Sequence, residues 1–135
     1  MLLPRKRFKP NPPNLWDMIQ DAGTDRVTEF RFQVMQPNVD LSRLCFDPTI
    51  SKLYILFPSR IATWFDLPKH VTILEMAYDF NLKELPPCLA RSNLKWLILW
   101  DVDIQTIHMD RLPKSLQYLY MNGKQFELNQ PTTKV

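Results

Sequence analysis

Apolar residues recur along most of this chain in one six-residue pattern, apolar-x-x-apolar-x-apolar. Five segments carry the pattern, at residues 27–32, 50–55, 71–76, 94–99 and 116–121. Successive segments begin 23, 21, 23 and 22 residues apart, and a near-constant period of this length indicates repeated units that stack on one another. Within each segment the second and third apolar positions alternate with variable ones, which predicts a strand with one buried face. The chain is therefore expected to align five parallel strands in one sheet.

This pattern resembles the leucine-rich repeat, whose core reads LxxLxL with a period of about 20 to 29 residues. Two of the units are preceded by Leu-Pro-Lys, at residues 67–69 and 112–114, and this entry resembles the short bacterial-type and FNIP-type repeats. The resemblance implies an α/β fold, a leucine-rich-repeat solenoid of about five repeats. Its parallel sheet would line the concave side, with short helices or irregular turns on the convex side.

The chain departs from the family at the turn that follows each strand. Leucine-rich repeats usually have Asn or Cys three residues after the last apolar strand position. The corresponding residues here are Met35, Pro58, Asp79, Val102 and Lys124. The side-chain ladder of the family is therefore missing, and we expect irregular turns.

Composition outside the repeats divides the chain into four parts. They are a basic, proline-rich N-terminal arm (1–13), an N-terminal capping helix (14–24), the five-repeat solenoid (25–129) and a C-terminal tail (130–135). Asn14 is a suitable N-cap, and the apolar residues after it would pack on the first repeat. The helix is predicted over residues 14–21. The tail is polar and is expected to fray.

Strand residues that do not face the core should line the concave face, where the chain has many aromatic residues. A contiguous apolar surface of this kind usually marks an interface, and Trp and Tyr dominate interface energetics. An external protein, the chain's own ends or a second copy could cover this face, and we favour an external protein within a larger assembly. The predicted contact residues are Tyr54, Ile73, Trp96, Ile98, Trp100, Tyr118 and Tyr120.

The formal net charge of +3 comes from the N-terminal arm. The arm carries Arg5, Lys6, Arg7 and Lys9, and without these four the chain has 13 basic and 14 acidic residues. The arm could contact the phosphates of RNA or an acidic partner, or it could be a solvated tail. A ribonucleoprotein component is therefore the alternative to a protein-binding adaptor.

Residue types that carry catalysis or hold metals are sparse. His70 and His108 fall on different edges of different units, where a surface or turn role is expected. Asp101, Asp103 and Asp110 follow the fourth strand and could hold a cation, but a solvated turn is the better interpretation. Nothing in the sequence combines a nucleophile, a base and an orienting group. We therefore predict no enzyme activity, no metal site and no cofactor.

The two cysteines, Cys45 and Cys88, lie two units apart, too far for a disulfide between stacked strands. Both are expected to be free thiols that fill small buried spaces. Free thiols fit a reducing, intracellular compartment. The cytoplasm is favoured, with mitochondrion and nucleus left open. No apolar stretch has the length of a membrane span.

Overall fold

The computed structural model describes the backbone of residues 19–21 and all of residues 28–129 and 131–135. These residues form mostly strands, joined by turns and short 3₁₀ helices. The 3₁₀ helices are Pro58–Arg60, Pro87–Arg91 and Met109–Arg111. The strands are β1 (Ile19–Asp21), β2 (Glu29–Val34), β3 (Val39–Asp40), β4 (Lys52–Leu56), β5 (Ile61–Thr63), β6 (Ile73–Ala77), β7 (Trp96–Leu99), β8 (Thr106–His108), β9 (Tyr118–Met121), β10 (Lys124–Phe126) and β11 (Thr132–Lys134).

The main sheet has seven strands in the order β1-β2-β4-β6-β7-β9-β10. Its five inner strands are parallel and in register, whereas β1 and β10 pair antiparallel at the two edges. Two small sheets, β3 with β5 and β8 with β11, lie in the connections. The expected row of five parallel strands is confirmed. The described residues contain no α-helix, so what the structure shows is a strand-rich fold around a mixed sheet.

The core follows from the alternation of apolar residues within the five units. Each parallel strand contributes two side chains to one face of the sheet, and these align across the strands in two buried rows. Burying a side chain of this size contributes about 1.5 to 3 kcal/mol, so the rows supply much of the driving force for stacking. One row is Phe30, Leu53, Leu74, Leu97 and Leu119, and the other is Phe32, Ile55, Met76, Leu99 and Met121.

The turns after the strands are more regular than the sequence led us to expect. A residue with positive φ follows four of the parallel strands, namely Phe57 (61°), Tyr78 (61°), Asp101 (53°) and Asn122 (52°). Neighbouring turns are also hydrogen-bonded, because the Tyr78 N–H donates to the carbonyl of Trp100 at 3.1 Å. Asp and Asn tolerate this left-handed conformation, whereas an aromatic residue pays a steric cost of about 1 kcal/mol or more.

Asp79 occupies one of the positions where leucine-rich repeats place Asn. Its side chain is 3% exposed, and its carboxylate accepts hydrogen bonds from the backbone N–H of Ser59 (2.6 Å), the hydroxyl of Ser59 (2.8 Å) and the N–H of Asn81 (3.1 Å). The carboxylate therefore ties the turn after β4 to the turn after β6. At this one position a side chain does join two neighbouring turns, with Asp where leucine-rich repeats have Asn.

Both ends of the described structure differ from the sequence-based expectation. The helix predicted over residues 14–21 is wrong for residues 19–21, which form β1 and pair with Phe32 to Val34 of β2. The open edge of β2 presents unpaired backbone groups, and an added strand satisfies them. The remainder of the capping segment (14–18 and 22–24) and the arm lie outside the described residues.

The tail was expected to fray, but residues 132–134 form β11 against β8. The N–H of Met109 donates to the carbonyl of Pro131, and the N–H of Val135 to that of Gln105, each at 2.9 Å. Consecutive β-branched threonines favour this extended pairing. Within the described residues, no helix has the length and apolar character needed to cross a bilayer.

Candidate interaction face

Two rows of side chains lie on the side of the sheet opposite the core, and we call this side the outer face. Strand alternation places them there, and the register brings the corresponding positions of successive strands next to one another. All the predicted contact residues lie in these rows except Trp100, which directly follows β7. The rows are Glu29, Lys52, Ile73, Trp96, Tyr118 and Arg31, Tyr54, Glu75, Ile98, Tyr120.

Three of these residues, Trp96, Tyr118 and Tyr120, form an aromatic cluster on β7 and β9. The ring centroids of Trp96 and Tyr118 are 4.2 Å apart, and those of Trp96 and Tyr120 are 5.9 Å apart with planes inclined by 15°. Trp96 remains 36% exposed. Because the rings support one another on a hydrogen-bonded sheet, a partner would meet a preformed surface with little ordering cost.

Trp100 is fixed at the edge of this cluster. Its indole N–H donates to a carboxylate oxygen of Glu75 at 2.7 Å, and its ring lies against the β9–β10 turn, where a Cβ on Gly123 would meet it at 3.8 Å. Gly123 has φ +84° after the left-handed Asn122, so this tight turn favours glycine. Trp100 thus reaches from β6 to the far turn and is 38% exposed.

The other half of the outer face carries acidic and basic side chains in equal number, so their charges offset one another. The ammonium group of Lys52 lies 3.2 Å from a carboxylate oxygen of Glu29 and 3.1 Å from one of Glu75. The guanidinium of Arg31 stacks over the ring of Tyr54 at 4.1 Å. Tyr54 is only 9% exposed, so this predicted contact residue is largely covered. Burial raises its pKa, with the Glu75 carboxylate adding to the increase.

The structure adds exposed aromatic residues that sequence reasoning missed. Tyr78 (57% exposed) and Phe80 (68%) follow β6, and Tyr78 lies near enough to Tyr54 to help raise the pKa of its hydroxyl. The sequence offered one signal for the exposure of Tyr78, namely its position directly after a strand and one repeat period beyond Phe57. Strict alternation along β6 would place Ala77, the residue after Met76, on the outer face, but both residues are buried at the end of this strand.

The remaining chemical groups are dispersed. His70 and His108 are both exposed, but His70 lies in a turn and His108 ends strand β8, 3.5 Å from the hydroxyl of Thr132. A cavity of about 320 Å³ beside β8 is lined by charged side chains of both signs, including Lys83, Glu84 and Arg111. Across the described ranges, no group of three His, Cys, Asp or Glu residues is arranged to hold a metal ion.

Neither cysteine forms a disulfide, as predicted, but only one fills a buried space. Cys88 is buried beside Leu89 in a 3₁₀ helix, and this burial raises the pKa of its thiol to about 11. Cys45 is exposed, which corrects the expectation of a buried filler. The loop between β3 and β4 carries it outward between the buried Leu44 and Phe46.

No family model matches the chain, and comparisons with curated proteins and with solved structures found no match. The resemblance to leucine-rich repeats therefore rests on the chain's own pattern. The function of the chain is therefore inferred from the residues of the outer face.

Proposed function

We propose that the chain is a short leucine-rich-repeat-type solenoid that acts as a protein-binding module, a small accessory or adaptor subunit of a larger assembly. Three observations support the architecture. The units recur every 21 to 23 residues, their strands pair in register, and left-handed residues recur at the strand ends. Asp79, at the family's ladder position, supports the same assignment.

The observation that carries the binding proposal is the aromatic cluster on the outer face. Its most exposed member, Trp96, is packed against Tyr118 but has no hydrogen-bond partner for its indole N–H among the described residues. Exposed tryptophans on a rigid surface are typical of the residues that dominate protein interfaces. Covering such a ring contributes about 1.5 to 3 kcal/mol, enough to make one residue decisive.

Affinity capture with the full chain tests this proposal. The bait is compared with its Trp96→Ala variant and with Met35→Ala, which removes an exposed apolar side chain beyond β2 at the other end of the sheet. We expect a protein that wild type and Met35→Ala retain and that Trp96→Ala loses, while all three give the same circular dichroism spectrum. Equal retention by Trp96→Ala would contradict the assignment of the face.

The second candidate is a ribonucleoprotein component that contacts RNA through Arg5, Lys6, Arg7 and Lys9, which lie outside the described residues. Four clustered charges in an otherwise balanced chain favour it. Of the two cations in the rows of the outer face, Lys52 is paired with two carboxylates. Arg31 is stacked on Tyr54, and its buried Nε has no hydrogen-bond partner among the described residues. The arm would therefore have to supply most of the phosphate contacts. This candidate predicts RNA binding that weakens steeply with salt and disappears when all four are replaced by Ser.

A further inference from the structure

The outer face offers a ligand only its side chains, because the backbone N–H and C=O groups of the inner strands are paired within the sheet. In the aromatic cluster the polar groups are the indole N–H of Trp96 and the hydroxyls of Tyr118 and Tyr120. None of them has a hydrogen-bond partner among the described residues, so they point to solvent. A ligand that covers them must supply acceptors, because a buried donor without a partner is costly.

The need for hydrogen-bond acceptors favours some backbone conformations of a peptide ligand over others. A helix uses its carbonyl groups internally and offers the Trp96 N–H no backbone acceptor. An extended strand laid on the face brings its own N–H groups, which would also need partners. A proline-rich segment in the polyproline II conformation lacks proline N–H groups, leaves its carbonyls free, and presents pyrrolidine rings to aromatic side chains.

The charge distribution favours a neutral ligand. Lys52 lies between two carboxylates. Arg31 is stacked on Tyr54 and its buried Nε has no hydrogen-bond partner among the described residues, but it lies on β2, three strands away from the cluster strand β7. The cluster itself is uncharged. A strongly acidic or basic segment would lose its hydration there without gaining an opposite charge, whereas a proline-rich segment has no such loss.

The spacing of the sheet also matches that of the ligand. Strands β6 and β9 are two strand spacings apart, about 9.6 Å, with β7 between them. One turn of polyproline II contains three residues and rises about 9.3 Å. A segment that crosses the strands would therefore place every third residue over equivalent positions, such as Ile73 and Tyr118, which share one row.

We propose that the aromatic cluster binds a proline-rich segment of a partner protein, in the polyproline II conformation and crossing strands β6, β7 and β9. The carbonyls of the segment accept hydrogen bonds from the indole N–H of Trp96 and from the tyrosine hydroxyls, and its rings pack on the aromatic faces. This inference rests on the proposed protein-binding function and names the chemistry of the partner.

Fluorescence anisotropy of a labelled oligoproline tests the proposal with the full chain. A probe of about ten residues, at about 3.1 Å per residue, is long enough to cross the cluster. A Gly-Ser peptide of the same length is the control ligand, and Met35→Ala is the control variant. We expect oligoproline to bind wild type and Met35→Ala alike, and Trp96→Ala to weaken binding tenfold or more. Trp96→Phe, which keeps a ring but loses the N–H, should give an intermediate loss.

Three results with the probe peptides and capture would overturn the inference, and a fourth concerns the chain's own prolines. The three are equal binding of the Gly-Ser peptide, binding that is insensitive to Trp96→Ala, and no oligoproline binding although lysate capture still depends on Trp96. The last result leaves the protein-binding function standing and rejects only the proline-rich ligand. The chain's own Pro10, Pro12 and Pro13 are a competing occupant. If only a variant with all three changed to Ser binds the probe, the partner is not external and the proposal fails.

Discussion

Replacing Asp79 with Ala should destabilise the fold, because the buried carboxylate joins the turn after β4 to the turn after β6. The substitution removes the acceptor for the N–H and hydroxyl of Ser59 and for the N–H of Asn81. A hydrogen bond to a charged group contributes about 1.5 to 3 kcal/mol. Ser59 and Asn81 are exposed, so water replaces part of what is lost. We therefore expect a loss of about 2 to 3 kcal/mol in the free energy of unfolding.

Urea unfolding monitored by circular dichroism gives this free energy from the midpoint and slope. Ser59→Ala is the matched control, because it removes only the bond from the hydroxyl and should cost about 1 kcal/mol. The double variant should cost less than the sum of the two, since both changes act on one network. Asp79→Asn keeps a carbonyl acceptor at the family's usual residue and should fall between wild type and Asp79→Ala.

The proposed role of Asp79 in joining the two turns is wrong if Asp79→Ala lowers the free energy of unfolding by less than about 0.5 kcal/mol, the range of ordinary surface substitutions. It is also wrong if the losses from the Asp79 and Ser59 variants add fully, because the two side chains would then act independently. In either case, the turns would be held by backbone pairing and core packing alone.

Cys45 should react with an aromatic disulfide reagent in the native protein and Cys88 only after unfolding, as thiol counting with and without denaturant will show. Because burial raises the pKa of Cys88 from 9.0 to about 11, the stability it contributes is complete below about pH 9 and is lost as pH rises through about 11. This loss amounts to about 2 to 3 kcal/mol; Cys88→Ala should flatten the alkaline decline and Cys45→Ala should not. Lys52→Met removes the cation shared by two glutamates and should cost about 1 kcal/mol at low salt and less at high salt, whereas Lys95→Met, which removes an exposed lysine, should cost almost nothing in urea unfolding.

The five parallel strands could be predicted because their signal is local and repeated. Each observed strand begins two residues after the first apolar position of its unit, as at Lys52 after Ile50 and Trp96 after Leu94. The alternation fixes which side chains are buried, and the period fixes which strands are neighbours. The rows of the outer face follow from these two facts, which is why the aromatic cluster was predictable.

The remaining features depend on contacts that a local pattern does not contain. Strand β1 pairs with the edge of the main sheet, and β11 pairs with β8 in a separate two-stranded sheet. Both pairings join separate segments of the chain, and short segments of this kind carry little strand signal of their own. The exposure of Tyr78 depends on a left-handed aromatic residue, which propensity argues against. The ion pairs of Lys52 with Glu29 and Glu75 depend on the register between β2, β4 and β6, which has to be known before the pairs can be recognised.

The in-register parallel pairing has a consequence for how such a chain can change in evolution. Each inner strand, such as β4 or β6, presents the same pairing geometry to the strand before it and the strand after it. A whole unit could be duplicated or deleted and its neighbours would still find an equivalent edge. A one-residue insertion inside a strand, by contrast, would exchange its buried and outer side chains. We therefore expect the lengths of related chains to differ by whole repeats or within turns, whereas the strands keep their length.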